Sequence, residues 1–99
     1  MTAQTETATW PEGVLARYLT AGGATVDLTH QLTLHTPPQA YATLAACTGC
    51  PASEEHNHHR LVWGATVQRE EHQPEAADRD ARAWAQSHAE KCRAMPKPA

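Results

Sequence analysis

Cys47-Thr48-Gly49-Cys50, read together with His88-Ala89-Glu90-Lys91-Cys92 near the other end of the chain, decides the fold. The two segments offer three thiolates and an imidazole as a CxxC and an HxxxC, a set that closes a tetrahedral zinc site. In the first segment Gly49 allows a turn tight enough for both sulfurs to face one ion, a knuckle. In the second the spacing is helical. Residues four apart lie one above the other on a helix face, so His88 and Cys92 converge on the same ion if this segment is helical. The plainer alternative is that the cysteines are small core residues.

Working outward from the HxxxC, Ala77, Ala81, Trp84, Ala85, His88 and Cys92 fall on one helical stripe. The pair of ligands thus shares a face with the apolar residues that must pack against the rest of the domain, so pattern and metal spacing agree. Pro74 and Glu75 suit the first turn, and Pro96 and Pro98 end the helix.

Upstream of the knuckle, Val26, Leu28, Leu32 and Leu34 alternate with Asp27, Thr29, Gln31, Thr33 and His35, the period-2 signature of a half-buried antiparallel strand. His30 interrupts the apolar stripe and reads as an edge or bend residue. Thr36-Pro37-Pro38 stops the strand, and residues 41–46 resume as a strand leading into the knuckle. Residues 51–59 read as a polar loop. Leu61, Trp63, Ala65 and Val67 read as the returning strand, with Gly64 at a bulge and residues 69–74 as linker. Residues 14–20 suit either a helix face or a strand. Gly22-Gly23 is then a helix stop or a hairpin turn, and the extended segment that follows favours the hairpin. The expected fold is α+β: a small zinc-stapled domain of three to four antiparallel strands with one C-terminal helix packed across them. Trp63 and Trp84 are expected to be buried against Leu28, Leu32 or Leu34. Residues 1–9 read as a disordered tail, 10–95 as a single zinc-binding domain and 96–99 as a frayed end.

Composition explains why a staple matters. The chain has 99 residues, no Phe or Ile, three Trp and two Tyr, and much of its hydrophobic fraction is Ala. Such a core offsets chain entropy poorly. The formal charge of -3 becomes about -4 with three thiolates and one zinc ion, which opposes non-specific nucleic-acid binding. Neither a signal peptide nor a transmembrane stretch is expected, and the odd number of cysteines suits a metal in a reducing compartment, so the expected localisation is cytoplasmic. The scarcity of Phe, Ile, Lys, Asn and Tyr is that of a GC-rich genome.

Arg17-Tyr18-Leu19-Thr20, residues 22–28 (GGATVDL), the CTGC knuckle and residues 83–96 (AWAQSHAEKCRAMP) together resemble a group of small, mostly uncharacterised actinobacterial proteins. These are of the Streptomyces type, often plasmid or phage borne, with a CxxC knuckle and a C-terminal AQxHAxxCRAxP helix. The resemblance covers about two thirds of the chain. It implies zinc at Cys47, Cys50, His88 and Cys92 and brings no activity with it. The order of elements is also similar to a ββα zinc finger, but the longer knuckle-to-helix spacing, the Cys3His ligands and the acidic charge depart from that family and from its major-groove recognition.

Three further constellations are candidates for chemistry. Catalytic zinc needs an open position, whereas four protein ligands fill this one. No His-x-Glu precedes the CxxC as a nucleobase deaminase requires, so no enzyme activity is expected. His56, His58 and His59, with Glu54 and Glu55, read either as a second metal site or as a solvated loop, and one of these histidines is an alternative to His88 as fourth ligand. Arg79, Arg82, Gln86 and Arg93 form an outer helix stripe, either a phosphate-binding face or a solvated one paired with Asp78, Asp80 and Glu90. The expected function is a non-enzymatic adaptor or regulator acting on a protein partner. The alternative is a nucleic-acid-binding regulator using Arg79, Arg82 and Arg93.

Overall fold

The computed structural model describes residues 10–64 and 67–96. In chain order it contains β1 (Val14–Leu19), β2 (Thr25–Leu32), β3 (Ala40–Cys47), β4 (Ser53–Asn57), β5 (His59–Trp63), β6 (Gln68–His72) and α1 (Pro74–Lys91). The first four strands form an antiparallel sheet in sequence order, and β5 and β6 form a separate antiparallel pair. The α+β fold with a C-terminal helix across the sheet is as the pattern predicts. The tail expected over residues 1–9, Ala65 of the expected returning strand, and residues 97–99 of the expected frayed end lie outside the described residues.

Residues 14–20 resolve as strand followed by hairpin. Gly23 takes a positive φ of 91°, a conformation open to glycine. The turn is closed by the Thr20 amide donating to the Ala24 carbonyl and the Ala24 amide donating to the Thr20 hydroxyl, both at 2.9 Å.

The core lies between this sheet and α1. Val26 and Leu28 of β2, with Ala16 of β1 and Ala45 of β3, face Ala81, Ala85 and Ala89 of the helix. With Ala77, also buried, the helix presents an alanine at every fourth position. A stripe of methyl groups brings the helix backbone close to the sheet, but it supplies little apolar volume. The largest fully buried side chains are Leu28, His58, Val26 and Thr43, two of them polar. A domain with this little bulk inside depends on something besides hydrophobic burial.

Four expectations are corrected. Leu32 and Leu34 are exposed: the register shifts between Gln31 and Leu32, a bulge that breaks the alternation of faces, and Leu34 lies past the end of β2. The inward face of β2 therefore continues from Leu28 to His30. Residues 51–59 are not a loop: they contain β4, which pairs along β3 with Glu54 opposite Ala45 and Glu55 opposite Leu44. A charged edge strand protects the sheet from further pairing and carries no apolar period to announce itself. Residues 69–74 are likewise mostly strand β6, paired with β5. Because β5 takes this partner and not the main sheet, Trp63 is not core but 78% exposed.

Candidate metal centre

The knuckle begins at the last residue of β3. The Cys47 amide donates to the Ala52 carbonyl (3.0 Å), and the Thr48 amide donates to the carbonyl of Thr25 (2.8 Å). In return the Thr25 amide donates to the Thr48 hydroxyl at 3.0 Å, which fixes the knuckle against the start of β2. Gly49 is pressed from two sides. A Cβ there would lie 2.8 Å from both the Ala24 methyl and the Ala94 carbonyl oxygen, closer than side chains tolerate.

The helical half of the site is held by the β1–β2 turn. The amides of Ala21 and Gly22 donate to the carbonyls of Ala89 (2.9 Å) and Cys92 (3.0 Å), satisfying acceptors that a helix end leaves open. Backbone contact is so close that a Cβ on Gly22 would sit 2.4 Å from the Arg93 carbonyl group. One hairpin thus sets both the knuckle and the end of α1 that bears His88 and Cys92.

These contacts bring together Cys47, Cys50, His88 and Cys92, whose ligand atoms all lie within 4.8 Å of one another. Cys47 Sγ is 3.9 Å from Cys92 Sγ, Cys92 Sγ is 3.8 Å from Cys50 Sγ, and Cys50 Sγ is 3.4 Å from His88 Nε2. Around a tetrahedral ion with bonds of about 2.3 Å to sulfur and 2.0 Å to nitrogen, sulfurs stand roughly 3.8 Å apart and sulfur and nitrogen roughly 3.5 Å. The observed spacings match that arrangement. They exclude disulfides, whose sulfurs are about 2.05 Å apart, and all three cysteines are free. The four residues can hold a metal ion.

The surroundings act in opposite directions on the two thiols of the knuckle. Burial pushes the Cys47 thiol up, but the amides of Gly49 and Cys50 outweigh it and hold it below its ordinary range; the Gly49 amide reaches its sulfur at 3.4 Å. An amide bond from Ala52 pulls the Cys50 thiol down, yet burial and the adjacent sulfurs of Cys47 and Cys92 carry it above its ordinary range. A cation among the sulfurs would offset that repulsion. The His88 ring is stacked on the Trp84 indole, a contact that helical i, i+4 spacing permits.

The other candidates are dispersed. His56, His58 and His59 do not converge with one another or with the thiolates among the described residues. His56 Nε2 lies 2.8 Å from Glu54 Oε2, off hydrogen-bonding angle, His59 is exposed, and His58 turns into the core. Arg79, Arg82 and Arg93 are exposed. Their expected carboxylate partners Asp78 and Asp80 are engaged elsewhere, Asp78 by Thr43 and His30 and Asp80 by Arg60. Glu90 accepts a bond from Gln86.

Comparison with models of protein families, with curated proteins and with solved structures finds no match. No helix of the described residues is long and apolar enough to cross a membrane.

Proposed function

We propose that the chain is a non-enzymatic, zinc-stapled adaptor or regulator that works in the cytoplasm by contact with another protein. Three thiolates and an imidazole in tetrahedral spacing favour zinc over magnesium, calcium or manganese, which prefer oxygen ligands. Four protein ligands leave no position for a reacting water, which supports a structural role for that ion.

The observation that carries the contact reading is the β5–β6 arm. His59, Leu61 and Trp63 alternate outward on β5, and Leu61 and Trp63 are 63% and 78% exposed. Their cross-strand neighbours on the same side are Glu70 and Gln68. An exposed tryptophan and leucine rimmed by polar residues are the usual composition of a protein contact. A two-stranded sheet of this size is also marginal alone and gains from a partner. A photo-reactive amino acid placed at position 63 should cross-link to a host protein, whereas the same probe at Glu75 should not. Cross-linking only to nucleic acid would overturn the reading.

The second reading, nucleic-acid binding through Arg79, Arg82 and Arg93, is favoured by the exposure of all three. It is opposed by the net charge of -3. Fluorescence anisotropy with labelled duplexes at two salt concentrations separates the two. An adaptor shows negligible duplex binding at physiological salt. A nucleic-acid binder shows steep salt dependence that flattens by about one log-log unit when Arg82 is removed.

A further inference from the structure

A second group of potential ligands lies at the other end of the core. His30 of β2, His58 between β4 and β5, and Asp78 of α1 place one ligand atom each within 4.8 Å of the others. His30 Nε2 is 3.2 Å and His58 Nε2 is 3.9 Å from Asp78 Oδ1. The two imidazoles meet edge to face with centroids 5.0 Å apart. Ligand atoms bound at about 2.1 Å around one ion stand roughly 3.0 to 3.4 Å apart, so small side-chain adjustments suffice for coordination.

Short polar contacts already join this group. His58 Nε2 meets the Thr43 hydroxyl at 2.8 Å, accepting from it in one tautomer, and His30 Nε2 lies 3.2 Å from Asp78 Oδ1. Asp78 Oδ1 is an acceptor too, and the single hydroxyl proton of Thr43 lies within reach of it and of His58 Nε2. The candidate ligand atoms of His30, His58 and Asp78 thus converge with the Thr43 hydroxyl beside an imidazole that is only 2% exposed. A cation at that point would take the place of the shared protons as the partner of His58 Nε2 and Asp78 Oδ1.

We propose that His30, His58 and Asp78 form a second metal site, separate from the thiolate cluster, that takes a divalent transition-metal ion and leaves coordination positions open. The open side faces a cleft of about 510 Å³ lined by His30, Gln39, Ala40, His58, His59 and His72, among others. That cleft admits water or a small oxygen-donor ligand to the ion. Two nitrogens and an oxygen suit zinc, cobalt, nickel or ferrous iron, and the set is the opposite of the closed, sulfur-rich one at the knuckle.

The test starts from the full chain loaded with one equivalent of zinc and titrates it with Co2+ alone, followed by native mass spectrometry and visible absorption. One further equivalent is expected, with weak d–d bands and no sulfur-to-cobalt charge transfer. His30→Ala and Asp78→Asn should each weaken that second equivalent by about tenfold or more while retaining the zinc, and His56→Ala should leave it intact. The proposal is overturned if no second equivalent binds, if it survives in both variants, or if His56→Ala alone abolishes it, which marks adventitious binding by the exposed histidines. Charge-transfer bands would instead show cobalt at the thiolates, so failure of the zinc assignment is told apart from failure of this one.

Discussion

Trp84 lies flat against His88, with ring centroids 4.9 Å apart and planes 11° from parallel. The indole packs against the core on one side and holds the ligating imidazole on the other, so core packing and metal geometry share one side chain. Trp84→Ala is expected to cost about 2 kcal/mol, below the roughly 3 to 5 kcal/mol of a fully buried tryptophan, and to weaken zinc. Trp84→Phe should recover most of both, as read by thermal unfolding and by zinc competition with a chelating dye.

Chelation is expected to unfold the domain. With Leu28 and Val26 the only large aliphatic side chains fully buried among the described residues, metal affinity on the order of 10 kcal/mol is effectively folding free energy. Loaded with one equivalent of zinc, the chain should retain that ion in native mass spectrometry, and Cys92→Ser should lose both the ion and amide chemical-shift dispersion. A well-dispersed spectrum in excess chelator would count against the staple.

Gly22→Ala tests the backbone contact that places the HxxxC. Its new methyl would meet the Arg93 carbonyl group at 2.4 Å, so a loss of about 1 to 3 kcal/mol is expected from overpacking. Gly13→Ala provides the comparison: its positive φ strains the variant, but nothing lies within 4 Å of the added carbon. Urea titration should show the larger loss at Gly22, and only that variant should weaken zinc.

Arg17 and Asp27 face each other in register across β1 and β2. Their bond is bidentate, with the Arg17 Nε at 2.7 Å and a terminal guanidinium nitrogen at 3.0 Å from the two carboxylate oxygens. Such a planar fork is not reproduced by an ammonium group. Arg17→Lys is expected to lose about 1 kcal/mol, nearly as much as Arg17→Ala, in a denaturant titration.

Trp63→Ser should leave thermal stability within about 0.5 kcal/mol, as an exposed side chain does, while abolishing the proposed protein contact. A large drop in melting temperature would instead place Trp63 against the core.

The candidate metal-ligand set was legible because it is local chemistry. A CxxC turn and an HxxxC helical step each orient two ligands within a few residues, and the alanine stripe had to share the helix face with His88 and Cys92. The β1–β2 hairpin and the extent of α1 were legible for a similar reason, since Gly22-Gly23, Pro74 and the helical period act over short range. Other features depend on which segment ends beside which. The polar residues of β4 and β6 carry no apolar alternation, so only pairing with β3 and β5 makes them strands. Trp63 has the sequence of a core residue and is exposed because β5 found β6 instead of the main sheet. His30 looked like a flaw in an apolar strand, but its neighbours His58 and Asp78 come from distant parts of the chain, and their convergence exists only once the helix has crossed the sheet.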